Sequence, residues 1–180
     1  MSNEIPYPYL PEGRTIKYTT LSNPWMQAAK QMCDQYGACS WWPTGAVLIK
    51  NNLIIGRGAN SGTFYPVCPR VEKKCPSGTG YELCQDICKQ DAHAEITCPN
   101  DAVAAGNDTT NADIYLFGHW WCCKPCWDHM IKHGIRDVYL LENAYQIFTS
   151  KKRLKVFEVM KRKHLNNETV EQYHAQWIIE

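Results

Sequence analysis

The sequence predicts an α/β layered domain, and three observations carry that prediction. Stretches of helical and strand periodicity alternate in the order helix, hairpin, helix, strand, helix, strand, the pattern of helices packed on a sheet. The 180 residues are 44% hydrophobic and 21% charged, which suits one globular core and is too short for two ordinary domains. No apolar run in the sequence approaches the ~20 residues that a membrane-spanning helix needs.

Each element has a local cause. Residues 1–23 begin MSNEIPYPYLPEGR, polar and proline-rich, so they are expected to form an irregular arm and do not read as a secretory signal. NPWMQAAKQMCDQ (23–35) has a capping Asn, a Pro in the first turn and apolar residues at helical spacing, and predicts a helix. GAVLIKNNLIIGRGAN (45–60) is two short β-rich runs around Asn51-Asn52, a hairpin signal. Residues 61–90 hold four cysteines, three glycines and three prolines with little periodicity, so a long irregular segment is expected, stapled by its cysteines. HAEITCPNDAVAAG (93–106) predicts a helix that Pro99 kinks or interrupts. ADIYLFG (112–118) and IRDVYLL (135–141) predict strands, and between them Cys123 to Lys132 predicts a helix ended by Gly134. The expected organisation is a single domain over 1–180. It comprises the arm (1–23), a core (24–141) with a Cys-rich insert (61–90), and a charged helical tail (142–180) containing KKRLKVFEVMKRKH.

A formal net charge of +1 argues against a dedicated nucleic-acid binder, which usually shows a marked basic excess. Ten cysteines, clustered and without a secretory leader, point to metal binding or thiol chemistry in a reducing, cytoplasmic setting rather than to a disulfide scaffold.

Two motifs flank one predicted strand. His93-Ala94-Glu95 opens one helix, and Cys123-Lys124-Pro125-Cys126 opens the next. A CxxC at a helix N-terminus lets both thiolates face one point, where unpaired amides favour negative sulfur. One imidazole and two thiolates supply three ligands for tetrahedral zinc and leave the fourth position for water, the arrangement of a catalytic site. Glu95, two residues from His93, is placed to move protons without ligating the metal. A CxxC alone is equally a redox motif; His93 and Glu95 tip the reading to zinc. His119 and His129 are the alternative ligands if the register differs.

H-x-E followed by a C-x-x-C is the zinc-deaminase signature, and on these residues the chain resembles the cytidine and deoxycytidylate deaminases. The register after Cys126, WDHMIKHGIRDVYLL, fits that pattern and puts Cys122 where the family usually has proline. Upstream, CSWWPTGAV (39–47) resembles the family's entry to its first strand, and CPRVEKKCPSGTGYELC (68–84) an insert of dCMP-deaminase-like proteins, bacterial or viral. The resemblance covers about residues 24–141. Besides Cys122, the chain departs at Thr97, where Asn is usual, and at Trp41 and Trp42, where a basic residue is frequent.

The resemblance implies a three-layer α/β/α sandwich around a central mixed sheet of about five strands. It implies a zinc-dependent hydrolytic deaminase of a free pyrimidine nucleotide, dCMP to dUMP with release of ammonia, assembled as a homo-oligomer. Asn60, Ala94 and Trp120 are the implied substrate contacts. Cys39, Cys68, Cys84 and Cys88 match or adjoin positions of a second, structural zinc site; relatives usually have a histidine in place of Tyr81, and Cys88 is expected to take over its coordination, with Cys75 as the competing ligand. A deaminase of nucleic acid or of another nucleoside or nucleotide, and a non-catalytic zinc-stapled binding module, are the alternatives; no membrane partner is expected.

Overall fold

In a computed structural model of the chain, residues 5–76 and 79–149 are described. Five strands form one sheet: β1 (Ile16–Thr19), β2 (Gly45–Lys50), β3 (Leu53–Ala59), β4 (Asp113–Phe117) and β5 (Asp137–Leu141), in the order β1-β5-β4-β2-β3. The sheet is mixed. β1 and β4 run parallel to β5, and β2 runs antiparallel to both β3 and β4. Among the described residues six helices accompany it: α1 (Pro24–Tyr36), α2 (Pro69–Glu72), α3 (Tyr81–Asp86), α4 (Ala94–Ala104), α5 (Lys124–Lys132) and α6 (Ala144–Phe148).

The hairpin turns where expected, because Asn51 and Asn52 both adopt positive φ (49° and 61°), the backbone of a tight two-residue turn. Asn23 caps α1, its side chain accepting from the Trp25 and Met26 amides at 2.9 and 3.3 Å. Met26, Ala29 and Cys33 fall on one face of α1 and are fully buried against the sheet. Two glycines show which helix covers which face. A Cβ on Gly45 would lie 2.1 Å from the Cys33 amide nitrogen of α1, and one on Gly58 would lie 2.4 Å from the Cys98 nitrogen of α4. Gly58 pairs with Ala46, the neighbour of Gly45, so the two glycines point to opposite faces. α1 and α4 therefore sandwich the sheet, giving the three layers implied by sequence.

Three expectations need revision. Residues 16–19 of the expected arm are β1, an edge strand paired in parallel register with β5, Ile16 opposite Val138. The Cys-rich insert contains α2, begun by Pro69 right after Cys68, and α3, begun after Gly80 in left-handed conformation. α4 runs through Pro99; the proline removes only the amide that would have bonded the Glu95 carbonyl. Of the expected helical tail, α6 is the described part, and 150–180 lie outside the described residues. Among the described residues no helix is long and apolar enough to cross a membrane.

Candidate active site

The two motifs meet because β4 lies between the helices that carry them in sequence and α4 packs against α5. His93 is the N-cap of α4 and Cys123 the N-cap of α5, both with extended backbone, so each ligand sits at the mouth of its helix. The close approach of α4 to β3 over Gly58 fixes the first of these ends. Thr97 adds a tie, its hydroxyl donating to the Ala59 carbonyl at 3.1 Å.

His93 Nδ1 lies 3.6 Å from Cys123 Sγ and 3.4 Å from Cys126 Sγ, and the two sulfurs are 3.2 Å apart. Tetrahedral zinc with sulfur at about 2.3 Å and nitrogen at about 2.0–2.1 Å separates its ligands by about 3.5–3.8 Å. The three donors fit such an ion, with a small opening of the sulfur pair. Among the described residues they are the one group of three or more His, Cys, Asp or Glu ligand atoms within 4.8 Å of one another.

The electrostatics agree. The hydrogen bond between the two sulfurs brings the Cys123 thiol down to about 4, while that bond and burial push Cys126 up; a metal held there would displace the thiol protons. Burial alone would lower the His93 imidazole; its hydrogen bond to Cys123 and the nearby Glu95 charge outweigh that and raise it. Glu95 is 4% exposed, and burial raises its carboxyl above the ordinary range. A carboxyl so placed exchanges protons more readily near neutrality. Cys122 is fully buried and lies outside the three-donor cluster; burial and the nearby Glu95 charge push its thiol up.

His93, Glu95 and Cys123 line one cleft. Trp42, His119 and Trp121 supply its aromatic walls, with the Trp42 and His119 rings stacked at 4.3 Å and 21°. Trp120, the expected substrate aromatic, packs instead on Tyr7 (6.4 Å, stacked) and Tyr145 (4.9 Å, edge-on); the side chain in the cleft is its neighbour Trp121. Asn60 lines the cleft, but its side chain braces the backbone: Oδ1 accepts from Thr44 N at 2.8 Å and Nδ2 donates to Trp42 O at 2.6 Å. Ala94 is fully buried at the first turn of α4. His129 lies away from this cluster, against Asn100 and His133.

Sequence reasoning passed over Arg70, Tyr81, Gln90 and Thr44 as cleft residues. Tyr81 meets the His93 ring edge-on at 4.9 Å. Only the pair Trp41-Trp42, noted as a departure from the family pattern, carried a signal.

Cys39, Cys68, Cys84 and Cys88 line a second, smaller cavity next to the first, sharing Cys39, Cys84 and Gln90 with it. Cys39 hydrogen-bonds Cys68, which lowers the Cys68 thiol to about 6 and raises Cys39. No three of these four sulfurs come within 4.8 Å of one another, so the set is less tightly drawn than the His93 cluster. Cys75 is not among the residues lining that cavity. Cys33 and Cys98 are buried on α1 and α4, as small hydrophobic residues would be.

Residues 20–142 match the model of the cytidine and deoxycytidylate deaminase zinc-binding region. No curated protein matches the chain. Among solved structures, the chain is similar to a dCMP deaminase from the cyanophage S-TIM5, at 19% identity over 69% of this chain and 86% of that one, with a TM-score of 0.45. It is also similar to a diaminohydroxyphosphoribosylaminopyrimidine deaminase/reductase from Thermotoga maritima (18% identity, 77% and 40% covered, TM-score 0.44). A third is guanine deaminase from Bacillus subtilis (20% identity, 64% and 60% covered, TM-score 0.39).

Proposed function

Because the chain belongs to the cytidine and deoxycytidylate deaminase family of zinc-dependent enzymes, we propose that it hydrolyses the exocyclic amine of a free pyrimidine nucleotide, converting dCMP to dUMP and ammonia. The observation that carries this reading is the one-nitrogen, two-sulfur cluster of His93, Cys123 and Cys126 in the same cleft as the buried carboxyl of Glu95. Zinc held there supplies the Lewis acidity that brings the pKa of a water toward ~7. Glu95 takes a proton from the attacking water, passes it to the ring nitrogen, and delivers the second proton to the departing amine. The ring carbon loses its C–N bond and gains a C–O bond, so cytosine becomes uracil. Trp42, His119 and Trp121 hold the planar ring and exclude water from its faces. Asn60 keeps the Trp42 backbone in place, and its remaining N–H is available to a sugar hydroxyl. Ala94 lies beside the ring edge.

A nucleic-acid substrate is the second reading. The pairs Trp41–Trp42 and Trp120–Trp121 are bridged by the His119 ring beside the cleft, while the formal charge of +1 provides little attraction for a polyanion.

We also read the cavity of Cys39, Cys68, Cys84 and Cys88 as a structural zinc site that closes on metal binding. The buried Ser40 hydroxyl, which has no hydrogen-bond partner among the described residues, lines the same cavity. The enzyme is expected to act as a homo-oligomer, which sedimentation at micromolar concentration checks. The test of function is ammonia release by zinc-loaded protein from dCMP, CMP, deoxycytidine, adenosine and single-stranded DNA. Release from dCMP foremost is the expected result; release from none, with zinc bound, contradicts the reading and favours a binding module.

A further inference from the structure

The cleft holds one cation that the deamination chemistry does not use. Arg70, on α2, is 8% exposed and lines the cleft with His93 and Glu95. Its guanidinium lies between two rings, 5.0 Å from the Trp41 centroid and 4.4 Å from that of Tyr81. Nε donates to the Thr79 carbonyl at 2.7 Å, and the nearby Cys84 and Cys68 thiols are held lower by its charge than burial alone would leave them. Among the described residues no carboxylate stands within ion-pair distance of it. Removing a guanidinium from water is unfavourable unless an anion compensates. The ring faces and the carbonyl hold its plane, and the Cys68 and Cys84 sulfurs temper its charge without supplying an ion-paired oxyanion.

The position is as telling as the charge. The Tyr81 ring meets the guanidinium and also meets the His93 ring at 4.9 Å. Arg70 therefore stands one aromatic ring beyond the metal-ligand imidazole. Arg70 and Glu95 line the same cleft, so a ligand whose amine-bearing ring meets Glu95 would have Arg70 as the cation facing its other groups.

We infer that Arg70 is the anion anchor of this cleft, taking the phosphate monoester of a nucleoside 5′-monophosphate and thereby selecting nucleotide over nucleoside. The inference rests on the deaminase reading of the same cleft. A planar guanidinium pairs two phosphate oxygens through parallel N–H bonds, and the flanking rings fix its plane before the ligand arrives. Loss of such a charge-assisted pair weakens binding by about 10- to 100-fold.

Calorimetric titration of zinc-loaded protein carrying Glu95→Gln, which binds without turnover, tests this with dCMP, deoxycytidine and inorganic phosphate. The same titrations follow in Arg70→Gln and Arg70→Lys, each with zinc content and unfolding midpoint measured. The parent should prefer dCMP to deoxycytidine by about 10- to 100-fold. Arg70→Gln should collapse that ratio to within a few-fold, and Arg70→Lys should restore part of it, keeping charge but not the fork. A parent without preference, or a ratio preserved in Arg70→Gln, overturns the anchor. So does a parallel loss of both ligands and of zinc in both variants, which would mark Arg70 as a brace of the fold. Ammonia release by the wild type separates the two readings. An Arg70-dependent preference with no ammonia from any substrate leaves the anchor and removes the deaminase; equal turnover of dCMP and deoxycytidine does the reverse.

Discussion

Gly58→Ala should disable the zinc site without touching a ligand. The added Cβ would sit 2.4 Å from the Cys98 nitrogen, 2.5 Å from Thr97 Oγ1 and 2.7 Å from Cys98 Cα. The Cys98 atoms are helix backbone, which no rotamer change relieves. Going from 2.4 Å to the 3.4 Å where ordinary contact begins requires α4 to retreat from β3 by about 1 Å. α4 carries His93 as its cap and Glu95 in its first turn, so both leave register with Cys123 and Cys126 on α5. Overpacking of this kind costs about 1–3 kcal/mol, and misplacing catalytic groups by ~1 Å costs on the order of 10²-fold in rate. The assays are the thermal unfolding midpoint, zinc retention against a competing chelator, and kcat. The expected outcome is a lower midpoint, faster zinc loss and a kcat reduced about 100-fold. Gly106→Ala is the control: Gly106, unlike Gly58, has positive φ (79°), and a Cβ there meets nothing within 4 Å. It should cost about 1 kcal/mol of backbone strain or somewhat more and keep its zinc. Wild-type midpoint and zinc retention in Gly58→Ala would refute the claim that close packing on β3 positions the His93 end of the site.

The other predictions concern single roles. Glu95→Gln should keep its zinc and lose about 10²–10⁴-fold in kcat, as removal of a general acid-base does; wild-type turnover would remove that role. His93→Ala should lose the metal from this site, because two thiolates are too few protein ligands, whereas Cys122→Ala should retain it; elemental analysis of the two variants distinguishes a side chain that holds zinc from one that does not. Trp121→Ala should raise KM by about tenfold or more, given ~1–3 kcal/mol per stacked base, and more than Trp120→Ala does; the opposite order would return the pocket aromatic to Trp120. Wild-type protein should hold two zinc ions and Cys68→Ser one; a count of one in both would remove the structural zinc.

What the sequence disclosed was local. The hairpin was legible because two adjacent asparagines suit the positive φ of its turn, and α1 because Asn23 and Pro24 mark its start. The three-donor cluster of His93, Cys123 and Cys126 was legible because each motif is short and each opens a helix, with His93 and Cys123 as the caps. The rest depended on pairing across the chain. β1 is four residues long with only Ile16 buried, and its partner β5 follows far along the sequence, so no local pattern marked it. Pro99 reads as a helix breaker, yet α4 absorbs it near its first turns. The step from Trp120 to Trp121 as the cleft aromatic turns on which side chain faces inward after β4, a one-residue choice that spacing does not fix. Arg70 and Tyr81 reach the cleft only because the Cys-rich insert folds over its mouth, and an aperiodic segment announces no such path.

Crystals of the zinc-loaded protein, measured on both sides of the zinc absorption edge, test the central claim most directly. The account predicts an anomalous peak bonded to His93 Nδ1, Cys123 Sγ and Cys126 Sγ, with a non-protein fourth ligand beside the Glu95 carboxyl. Zinc elsewhere with these three side chains apart, or Glu95 itself completing the coordination, would contradict it.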